Sequence, residues 1–437
     1  MTRDIITRRK KMFNNMVDNS VAVFFAAPEV IRSNDTHYPY RQNSDFWYLT
    51  AFNEPEAALL LVKESAEQYQ TILFNRTKDP LIETWTGYRL GQEAALKTVS
   101  VDQAYPFDKI MDLLPEIING KCALYHASQL YQYADNIIDN LMTTLRQGIR
   151  KNLHAPESII DWRSMLHNMR LFKSSNEIAI MRQAGRITAL AHIRAMQQCK
   201  PDMYEYQLEA EILHEFIKHG ARSPSYNTIV GSGNNGCILH YENNSERLKN
   251  GDLVLIDAGC EFQSYAGDIT RTFPINGKFN KQQKEIYDIV LRAQLKAIEL
   301  FRPGVSIKEI NDKVIRIMVE GLIALNIMRG NIDELIEQKA YTQFYMHGLG
   351  HWLGIDVHDV GDYKTVGRER KLEAGMVITV EPGLYINKDA DVAKQYRGIG
   401  IRIEDNILIT QNGNEVLTSD VPKLTHEIET LMAKSSY

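Results

Sequence analysis

Apolar runs alternate with helix-like patterns in the N-terminal part of the chain. Residues 21–25, 57–62 and 69–74 are apolar runs with the length of a buried strand, whereas residues 107–118 and 130–145 repeat apolar positions at helical spacing. Strands that alternate with helices along a chain are typical of an α/β domain. We therefore predict an α/β domain for this part of the chain.

A helix start signal marks the beginning of a second domain. Ser174 and Glu177 have the spacing of a capping box, in which each side chain satisfies a free backbone N–H of the first helical turn. Apolar residues at helical spacing follow, namely Ile178, Met181, Ile187, Leu190 and Ile193. The chain has 437 residues, more than one hydrophobic core usually holds. We therefore predict two domains, at residues 1–172 and 173–437.

The second domain combines helices with pairs of short strands. Helical patterns occur at residues 204–219, 281–301 and 307–325. Residues 254–259 and 267–273 are rich in strand-forming residues and are separated by a short connection, which predicts a β-hairpin.

Two aspartates in this hairpin indicate a cation site. If the turn centres on Phe262 and Gln263, Asp257 and Asp268 lie directly opposite each other on one face of the hairpin. The Cβ atoms of such a pair are about 5 Å apart and like charges there repel each other. A cation between the two carboxylates would remove this repulsion.

Two glutamates stand in similar contexts. Glu381 ends an apolar run, and the alternation of residues 399–404 places Arg402 and Glu404 on one face of a strand. Buried carboxylates persist only when they are paired or bound to metal. Together with His351, the four acids could balance two divalent cations. Their oxygen ligands favour Mn²⁺ and leave Co²⁺, Fe²⁺ and Zn²⁺ open.

Three histidines fall within twelve residues of a glycine-rich segment, at His347, His351 and His358. Three glycines between residues 348 and 354 argue against a helix, so we predict a loop whose backbone comes close to a ligand. For His347 and His358, a hydrogen-bonded structural histidine is the alternative interpretation.

The five candidate ligands occur in the order found in the pita-bread metallopeptidases, and the chain resembles that family. The family includes methionine aminopeptidase, prolidase, creatinase and aminopeptidase P. Residues 225–233, the pair His240 and Tyr241, and residues 40–50 resemble the aminopeptidase P branch. The resemblance implies an α/β (α+β) protein with an N-terminal creatinase/aminopeptidase P-like domain. A pita-bread catalytic domain with a curved antiparallel sheet would follow it.

The resemblance also implies roles for the candidate ligands. Asp257 would bind one of two metals in bidentate fashion, Asp268 and Glu404 would bridge both, and His351 with Glu381 would complete the other. A metal-bridging water or hydroxide would attack the scissile carbonyl. Glu381 would also carry the proton toward the leaving nitrogen.

Other matching residues are implied to act on the substrate. His240 and His358 would stabilise the tetrahedral intermediate. The implied substrate-binding residues are His347, Tyr385 and Arg402, which would line the pocket for the proline ring, and Asp35, Trp85 and Arg368.

Alternatives exist for two of these residues. In tetrameric members of the family, a tryptophan like Trp85 reaches the active site of a neighbouring subunit. An ordinary core or interface aromatic is the alternative. Arg368 would lie near the substrate channel, or on a solvated loop.

The implied activity is that of an exopeptidase that releases the N-terminal residue from peptides with proline at position two. A prolidase that acts on Xaa-Pro dipeptides is the first alternative, since it shares the metal site. A non-catalytic peptide- or protein-binding module on the same fold is an alternative of another class. Methionine aminopeptidase is disfavoured because its members generally lack so large an N-terminal domain. Assembly into a homodimer or homotetramer is expected.

Composition excludes several other classes of protein. A net charge of -5 without an extended basic stripe gives no reason to expect nucleic acid as a partner. We expect no membrane span, because no apolar run reaches the roughly 18 residues that one requires. Four widely spaced cysteines predict reduced thiols, and we expect a cytoplasmic protein. The basic run at residues 8–11 is predicted to be the solvated face of an amphipathic first helix.

Overall fold

The computed structural model describes residues 2–434, which form two compact units, one ending at Arg170 and the next starting at Leu171. The helices of the N-terminal unit are α1 (Thr2–Asn15), α2 (Ser44–Thr50), α3 (Pro80–Thr86), α4 (Gly91–Ala95), α5 (Ile110–Ile118), α6 (Gln132–Gln147) and α7 (Arg163–Leu171), the last of which reaches the division. Its strands are β1 (Ser20–Phe25), β2 (Ile31–Ser33), β3 (Thr36–His37), β4 (Ala58–Lys63), β5 (Tyr69–Asn75), β6 (Gln103–Pro106), β7 (Ala123–Tyr125) and β8 (Ser158–Ile160).

A six-stranded mixed sheet, in the order β6-β5-β4-β1-β7-β8, forms the centre of the N-terminal unit. The inner strands β1 and β4 are buried along their whole length, which explains why their sequences are unbroken apolar runs. Apolar residues of α5 and α6 pack against this sheet in one core. The predicted α/β character of this part of the chain is confirmed.

The basic run in α1 departs from the prediction at Arg9. Its side chain is buried, and it donates hydrogen bonds to the carbonyl oxygens of Leu49 at 2.8 Å and Ser100 at 2.8 Å. The prediction of a wholly solvated basic face was therefore wrong for Arg9, which ties α1 to two other parts of its unit.

The C-terminal unit starts with the helix that the capping box predicts. Its helices are α8 (Ser175–Gln198), α9 (Glu205–Lys218), α10 (Lys281–Leu300), α11 (Ile307–Ala324), α12 (Ile332–Glu337) and α13 (Thr425–Ala433). The capping box of Ser174 and Glu177 is present at the start of α8. The predicted helices near residues 204–219, 281–301 and 307–325 are confirmed as α9, α10 and α11.

Short antiparallel strands complete the C-terminal unit. They are β9 (Ser223–Pro224), β10 (Ile229–Ser232), β11 (Leu253–Ala258), β12 (Cys260–Phe262), β13 (Tyr265–Ala266), β14 (Ile269–Pro274), β15 (Lys364–Thr365), β16 (Arg368–Glu369), β17 (Val377–Val380), β18 (Gly383–Ile386), β19 (Ile399–Arg402), β20 (Asp405–Ile409) and β21 (Asn414–Val416). Hydrogen bonds join them into the sheets β10-β11-β14, β13-β12-β9 and β17-β20-β21 and the pairs β18-β19 and β15-β16. The antiparallel arrangement was predicted, and a single large core joins these strands to α8, α9, α10 and α11.

The hairpin around Asp257 is present, but its register differs from the prediction. Gln263 and Ser264 form a two-residue loop in which both have positive φ, 48° and 67°, as a type I′ turn requires. Asp257 therefore pairs with Thr270, and Asp268 is its diagonal neighbour on the same face. The predicted directly opposed pair was wrong because the turn centres one residue later.

The glycine-rich segment is a loop that runs beside β17. His351 donates from its backbone N to Thr379 Oγ at 3.0 Å, and its carbonyl oxygen accepts from Thr379 N at 2.9 Å. A Cβ at Gly350 would lie 2.0 Å from the Thr379 carbonyl oxygen, so the close approach requires glycine there. The predicted loop is confirmed, and β17 holds it in place.

Two other sequence-based expectations can be compared with the structure. Cys122, Cys199, Cys237 and Cys260 are all free thiols, as predicted. Across residues 2–434, no helix has both the length and the apolar character that crossing a membrane requires.

A buried charge network joins β14 to β20. Arg271 and Asp405 are fully buried and 2.8 Å apart, and Arg271 also donates to the Glu404 carbonyl oxygen at 2.6 Å. Lys423 contacts the second oxygen of Asp405 at 2.7 Å. Burial opposes ionisation of Asp405, but the charges of Arg271 and Lys423 outweigh it and lower the pKa of this carboxyl to about 2.

Replacing Arg271 by alanine should strongly destabilise the protein. Removing one partner of a buried ion pair leaves an uncompensated charge and costs about 3–5 kcal/mol. The matched control is Arg182→Ala, which breaks a half-exposed pair with Glu415 and should cost at most about 1 kcal/mol. Chemical denaturation monitored by circular dichroism measures both changes. Equal losses of stability in the two variants would contradict the structural importance of this network.

Candidate metal centre and substrate cavity

A cavity of about 510 Å³ in the C-terminal unit brings together most of the predicted site residues. The predicted residues that line it are Asp257, Asp268, His351, Glu381, Glu404, His240, His347, His358 and Arg402. Apolar side chains of Ile229, Leu239 and Val357 line it as well. The cavity thus has a charged region and an apolar wall, a combination common in binding sites for small organic molecules and peptides.

Strand ends place the four acids. Asp257 lies in β11, and Asp268 directly precedes β14. Glu381 directly follows β17, and Glu404 directly precedes β20. Val380 pairs with Asp405 as the last pair between these two strands, so Glu381 and Glu404 stand just beyond the same end of the pairing. All four carboxylates therefore meet where two hairpin-like strand pairs end.

His351 completes the cluster. Its Nε2 lies 3.4 Å from Asp268 Oδ2 and 3.4 Å from Glu381 Oε1. Its Nδ1 lies 3.0 Å from the Trp352 carbonyl oxygen, which fixes the ring and leaves Nε2 facing the acids. Asp268, His351 and Glu404 each offer a donor atom, and these atoms all lie within 4.8 Å of one another.

Tyr226 connects the two aspartates. Its hydroxyl lies 2.5 Å from Asp257 Oδ1 and 2.5 Å from Asp268 Oδ1. Arg402 Nη2 lies 2.6 Å from the other oxygen of Asp257. One phenol therefore bridges the two aspartates of the diagonal pair, and one guanidinium holds Asp257.

Asp268, Glu381 and Glu404 resist ionisation. Burial raises the pKa of Asp268, although its hydrogen bond to His351 opposes the shift. Burial raises the pKa of Glu381 to about 7, and burial together with the charge of Asp268 raises the pKa of Glu404 well above its usual value. Burial lowers the pKa of His351, but the hydrogen bond to Asp268 and the charge of Glu381 outweigh burial and raise this pKa to about 9.

These shifts share one physical cause, an excess of negative charge in a buried space. Protons relieve that excess, and divalent cations would relieve it more fully, since oxygen and imidazole donors already face each other there. The donor set of carboxylates with one histidine suits hard or borderline divalent metals. The residues present therefore fit a metal centre.

A second hydrogen-bonded cluster stands beside the acids. The Tyr385 hydroxyl lies 2.8 Å from His347 Nε2 and 2.9 Å from Arg402 Nη1. Burial and the charge of Arg402 lower the pKa of His347 to about 4, so this imidazole is neutral at physiological pH. Tyr385 holds His347 and Arg402 through its hydroxyl, and its ring lies in an apolar cluster with Ile229 and Tyr241.

His240 and His358 also face the cavity. The His358 ring stands edge-on to the His351 ring, with centroids 4.3 Å apart. Burial and the charge of His351 lower the pKa of His358. His240 is exposed at the cavity surface.

Three predicted substrate-binding residues lie elsewhere. Trp85 is 88% exposed in α3 of the N-terminal unit, so the alternative of a core aromatic is wrong for this chain. Asp35 is exposed in the turn between β2 and β3 of the same unit. Arg368 belongs to the exposed hairpin of β15 and β16 and is not among the cavity-lining residues.

Several site residues were not predicted. Thr270 donates to Glu404 Oε2 at 2.7 Å, and Thr379 donates to Glu381 Oε1 at 3.2 Å. Each threonine lies two positions from a candidate ligand, on the same face of its strand, which was a usable sequence signal. Tyr226 lies in a segment that the sequence singled out, but its contact with both aspartates depends on the fold.

Acids clustered at the ends of antiparallel strands and one histidine on an adjoining loop, after an N-terminal α/β unit, are the features of a two-domain metallopeptidase. Residues 179–411 match the family model of Metallopeptidase family M24, and residues 5–125 match that of the aminopeptidase P N-terminal domain. The chain belongs to metallopeptidase family M24.

Individual relatives agree with this assignment. The chain is 58% identical to Xaa-Pro aminopeptidase of Escherichia coli K12 over 425 residues, which is 97% of this chain and 96% of the relative. It is 34% identical to human Xaa-Pro aminopeptidase 3, over 96% of this chain and 82% of the relative.

Solved structures of similar proteins cover the same residues. Zn-substituted Escherichia coli aminopeptidase P in complex with product has a TM-score of 0.99 and 57% identity, with 100% of this chain and 99% of that chain covered. Proline aminopeptidase P II from Yersinia pestis has a TM-score of 0.98 and 58% identity, with 99% of this chain and 100% of that chain covered. Both domains of this chain therefore have full-length structural counterparts.

Cation binding at this cluster should release protons. Both the pKa of Glu381, about 7, and that of His351, about 9, lie high enough for the groups to carry protons at neutral pH, and a cation must displace them. Apparent affinity for Mn²⁺ should therefore rise as the pH increases from 7 toward 9. Calorimetric titration in two buffers of different ionisation enthalpy measures the release.

The Asp268→Asn variant is the control for this titration. It keeps the size of the side chain but removes a charged donor, so Mn²⁺ binding should weaken by at least about 10-fold. Binding that is independent of pH and unchanged in the variant would contradict the assignment of the cluster to a cation.

Proposed function

We propose that this chain is a metal-dependent exopeptidase that releases the N-terminal residue from peptides with proline at position two. The observation that carries the proposal is the meeting of four carboxylates and one imidazole in a cavity beside a hydrogen-bonded cluster of His347, Tyr385 and Arg402. The relatives named above support the reaction class and the requirement for proline. In this proposal the catalytic domain comprises residues 173–437 and the N-terminal domain residues 1–172.

Asp257, Asp268, His351, Glu381 and Glu404 would hold two divalent cations, with Mn²⁺ favoured because most of these donors are oxygen atoms. When bound, the cations would lower the pKa of a water molecule and polarise the carbonyl of the scissile bond. The protein keeps the donors oriented through Thr270, Thr379 and the other hydrogen-bond partners behind them. Orientation before the cation arrives reduces the cost of binding it.

Glu381 is the proposed proton carrier. Its carboxylate faces the cavity, where it can accept a proton and release it again. Thr379 restrains one oxygen of this carboxyl, and His347 Nδ1 lies 3.9 Å from the other. Glu381 would take a proton from the nucleophile and pass it to the leaving nitrogen of the proline.

The proposed proline pocket consists of His347, Tyr385 and Arg402. A proline nitrogen carries no N–H in the peptide bond and its ring fixes φ, so the site must accept a rigid ring in place of an amide hydrogen. The hydrogen bonds among these three side chains hold their positions, which suits a rigid substrate. His240 and His358 would contact the oxygen of the tetrahedral intermediate.

A peptide series tests this function. With Mn²⁺ present, the protein should cleave Xaa-Pro-Zaa peptides and should not cleave matched peptides with alanine at position two. N-terminal acetylation should abolish turnover, because an aminopeptidase needs the free amine. Chromatographic detection of the released first residue measures all of these reactions.

The same series separates the alternatives. A prolidase would prefer an Xaa-Pro dipeptide to the tripeptide, and a non-catalytic module would cleave none of the peptides. Asp268→Asn is the matched inactive control and should lower kcat by at least about 1,000-fold. Efficient cleavage of a blocked peptide would contradict the aminopeptidase proposal.

The partner beyond the substrate is proposed to be a second copy of the chain, in a dimer or tetramer. Leu81, Trp85 and Tyr88 are 80%, 88% and 92% exposed at α3 and just after it. Such a concentration of exposed apolar side chains favours an association surface. Asp35 and Arg368 remain proposed substrate contacts, and a cytoplasmic location is proposed on the basis of the free thiols.

Replacing Trp85 by alanine should weaken this association. A tryptophan at the centre of an interface often contributes about 2 kcal/mol or more, so the midpoint of dissociation should move to at least about 30-fold higher protein concentration. Sedimentation velocity measures it. Val366→Ala, an equally exposed apolar residue at 96% in the C-terminal unit, is the control. A monomeric wild-type protein at high concentration would contradict the proposal.

A further inference from the structure

A buried glutamate at the start of α9 accepts five hydrogen bonds. Glu205 Oε1 accepts from Ser232 N at 2.8 Å, Ser232 Oγ at 2.7 Å and Asn235 Nδ2 at 3.1 Å. Glu205 Oε2 accepts from the Tyr241 hydroxyl at 2.8 Å and Glu246 N at 2.9 Å. The residue is completely buried. The five donors and the positive end of the α9 dipole stabilise its charge.

All five donors belong to one stretch of chain, from the end of β10 to residue 246. A second acid of α9 supports the same stretch, because Asn244 Nδ2 donates to Glu209 Oε2 at 3.0 Å. Glu205 and Glu209 are four residues apart and lie on one face of the helix. Asn244 also accepts from Val230 N at 2.9 Å and donates to the Thr228 carbonyl oxygen at 2.8 Å. Side chains thus hold most of this loop, and a backbone hydrogen bond from Glu205 N to the Glu246 carbonyl oxygen at 3.0 Å holds its end.

The loop at residues 233–246 forms one wall of the cavity. Leu239, His240 and Glu242 line the cavity from this loop. His240 is itself exposed, so its position depends on the backbone that carries it. Its neighbour Tyr241 is buried in the same apolar cluster as Tyr385 of the proposed proline pocket.

We propose that Glu205 is a positioning residue for the reaction, acting through Tyr241 on His240. The inference rests on the proposed function. Glu205 fixes the position of the loop relative to α9. Tyr241 in turn fixes the backbone of the adjacent histidine and the position of Tyr385. His240 therefore reaches the substrate carbonyl from a fixed backbone although its own side chain is exposed.

The geometry requires a carboxylate at this position. Each oxygen accepts at least two hydrogen bonds, and a backbone N–H points at each of them, from Ser232 and from Glu246. A glutamine has one accepting oxygen and one donating NH₂ group. In either orientation of its amide, the NH₂ group faces a backbone N–H and leaves that donor without a partner. Glu205→Gln therefore loosens the loop without changing the size of the side chain.

Kinetics of the variants test the positioning role. Glu205→Gln should lower kcat by about 10- to 100-fold, because a small displacement of a contacting group is enough for such a loss. KM should change less. In the His240→Ala background, Glu205→Gln should lower kcat by less than about 3-fold further, because coupled residues are not additive. Tyr241→Phe, which removes one hydroxyl, is the milder second variant and should show the same coupling.

Glu215→Gln is the matched control. Glu215 is a buried acid of the same helix that contacts Lys218 and His219 and no residue of the loop. Its replacement should leave kcat and the coupling with His240 unchanged. If Glu205→Gln lowers kcat by the same factor in the wild-type protein and in the His240→Ala variant, the two effects are independent. That result would overturn the proposal and indicate a general structural role.

Hydrogen–deuterium exchange gives a readout that is independent of activity. Exchange at residues 233–246 should become at least about 10-fold faster in Glu205→Gln, since a hydrogen-bond anchor is lost, and should not change in Glu215→Gln. Unchanged exchange in the loop would overturn the proposal. If the wild-type protein cleaves no Xaa-Pro peptide, the proposed function fails, and the exchange experiment still decides whether Glu205 holds the loop.

Discussion

The repulsion among four clustered carboxylates, of which Asp268 and Glu404 are buried and Asp257 and Glu381 partly buried, is the constraint on which the C-terminal unit is built. Burial raises the cost of each negative charge, and neighbouring charges raise it further. Among residues 2–434, only Arg402 and His351 bring positive charge into direct contact with this group. In the proposed function, bound divalent cations offset the remaining repulsion among the acids.

Strands, rather than flexible loops, carry these acids, and each strand is held from behind. Thr270 and Thr379 orient two of the carboxylates from positions on the same faces. Arg271 holds the backbone of Glu404 while it neutralises Asp405. A rigid framework of this kind keeps like charges in place despite their repulsion, and it explains why a fully buried ion pair lies next to a metal-binding cluster.

The histidine-bearing walls of the cavity are secured differently. His240 stands on a loop held by Glu205, as argued above. His358 directly precedes Asp359, which forms a buried ion pair with Lys173 at 2.9 Å. Both loops are thus fixed by buried acids outside the cavity. Anchors of this type leave the histidines free to contact a peptide while their backbones remain in place.

Local patterns in the sequence were sufficient for the longer helices and the apolar strands, and they predicted the candidate metal donors. The capping box at Ser174 and the helix α9 depend on residues close in the chain, so they could be predicted from it. Only the tertiary structure determined the hairpin register, which two residues with positive φ set, and the burial of Arg9. Only the tertiary structure also determined that Tyr226 contacts two aspartates and that Glu205 holds the loop at residues 233–246. These features depend on partners distant in the chain, whose approach is decided by packing and not by local propensity.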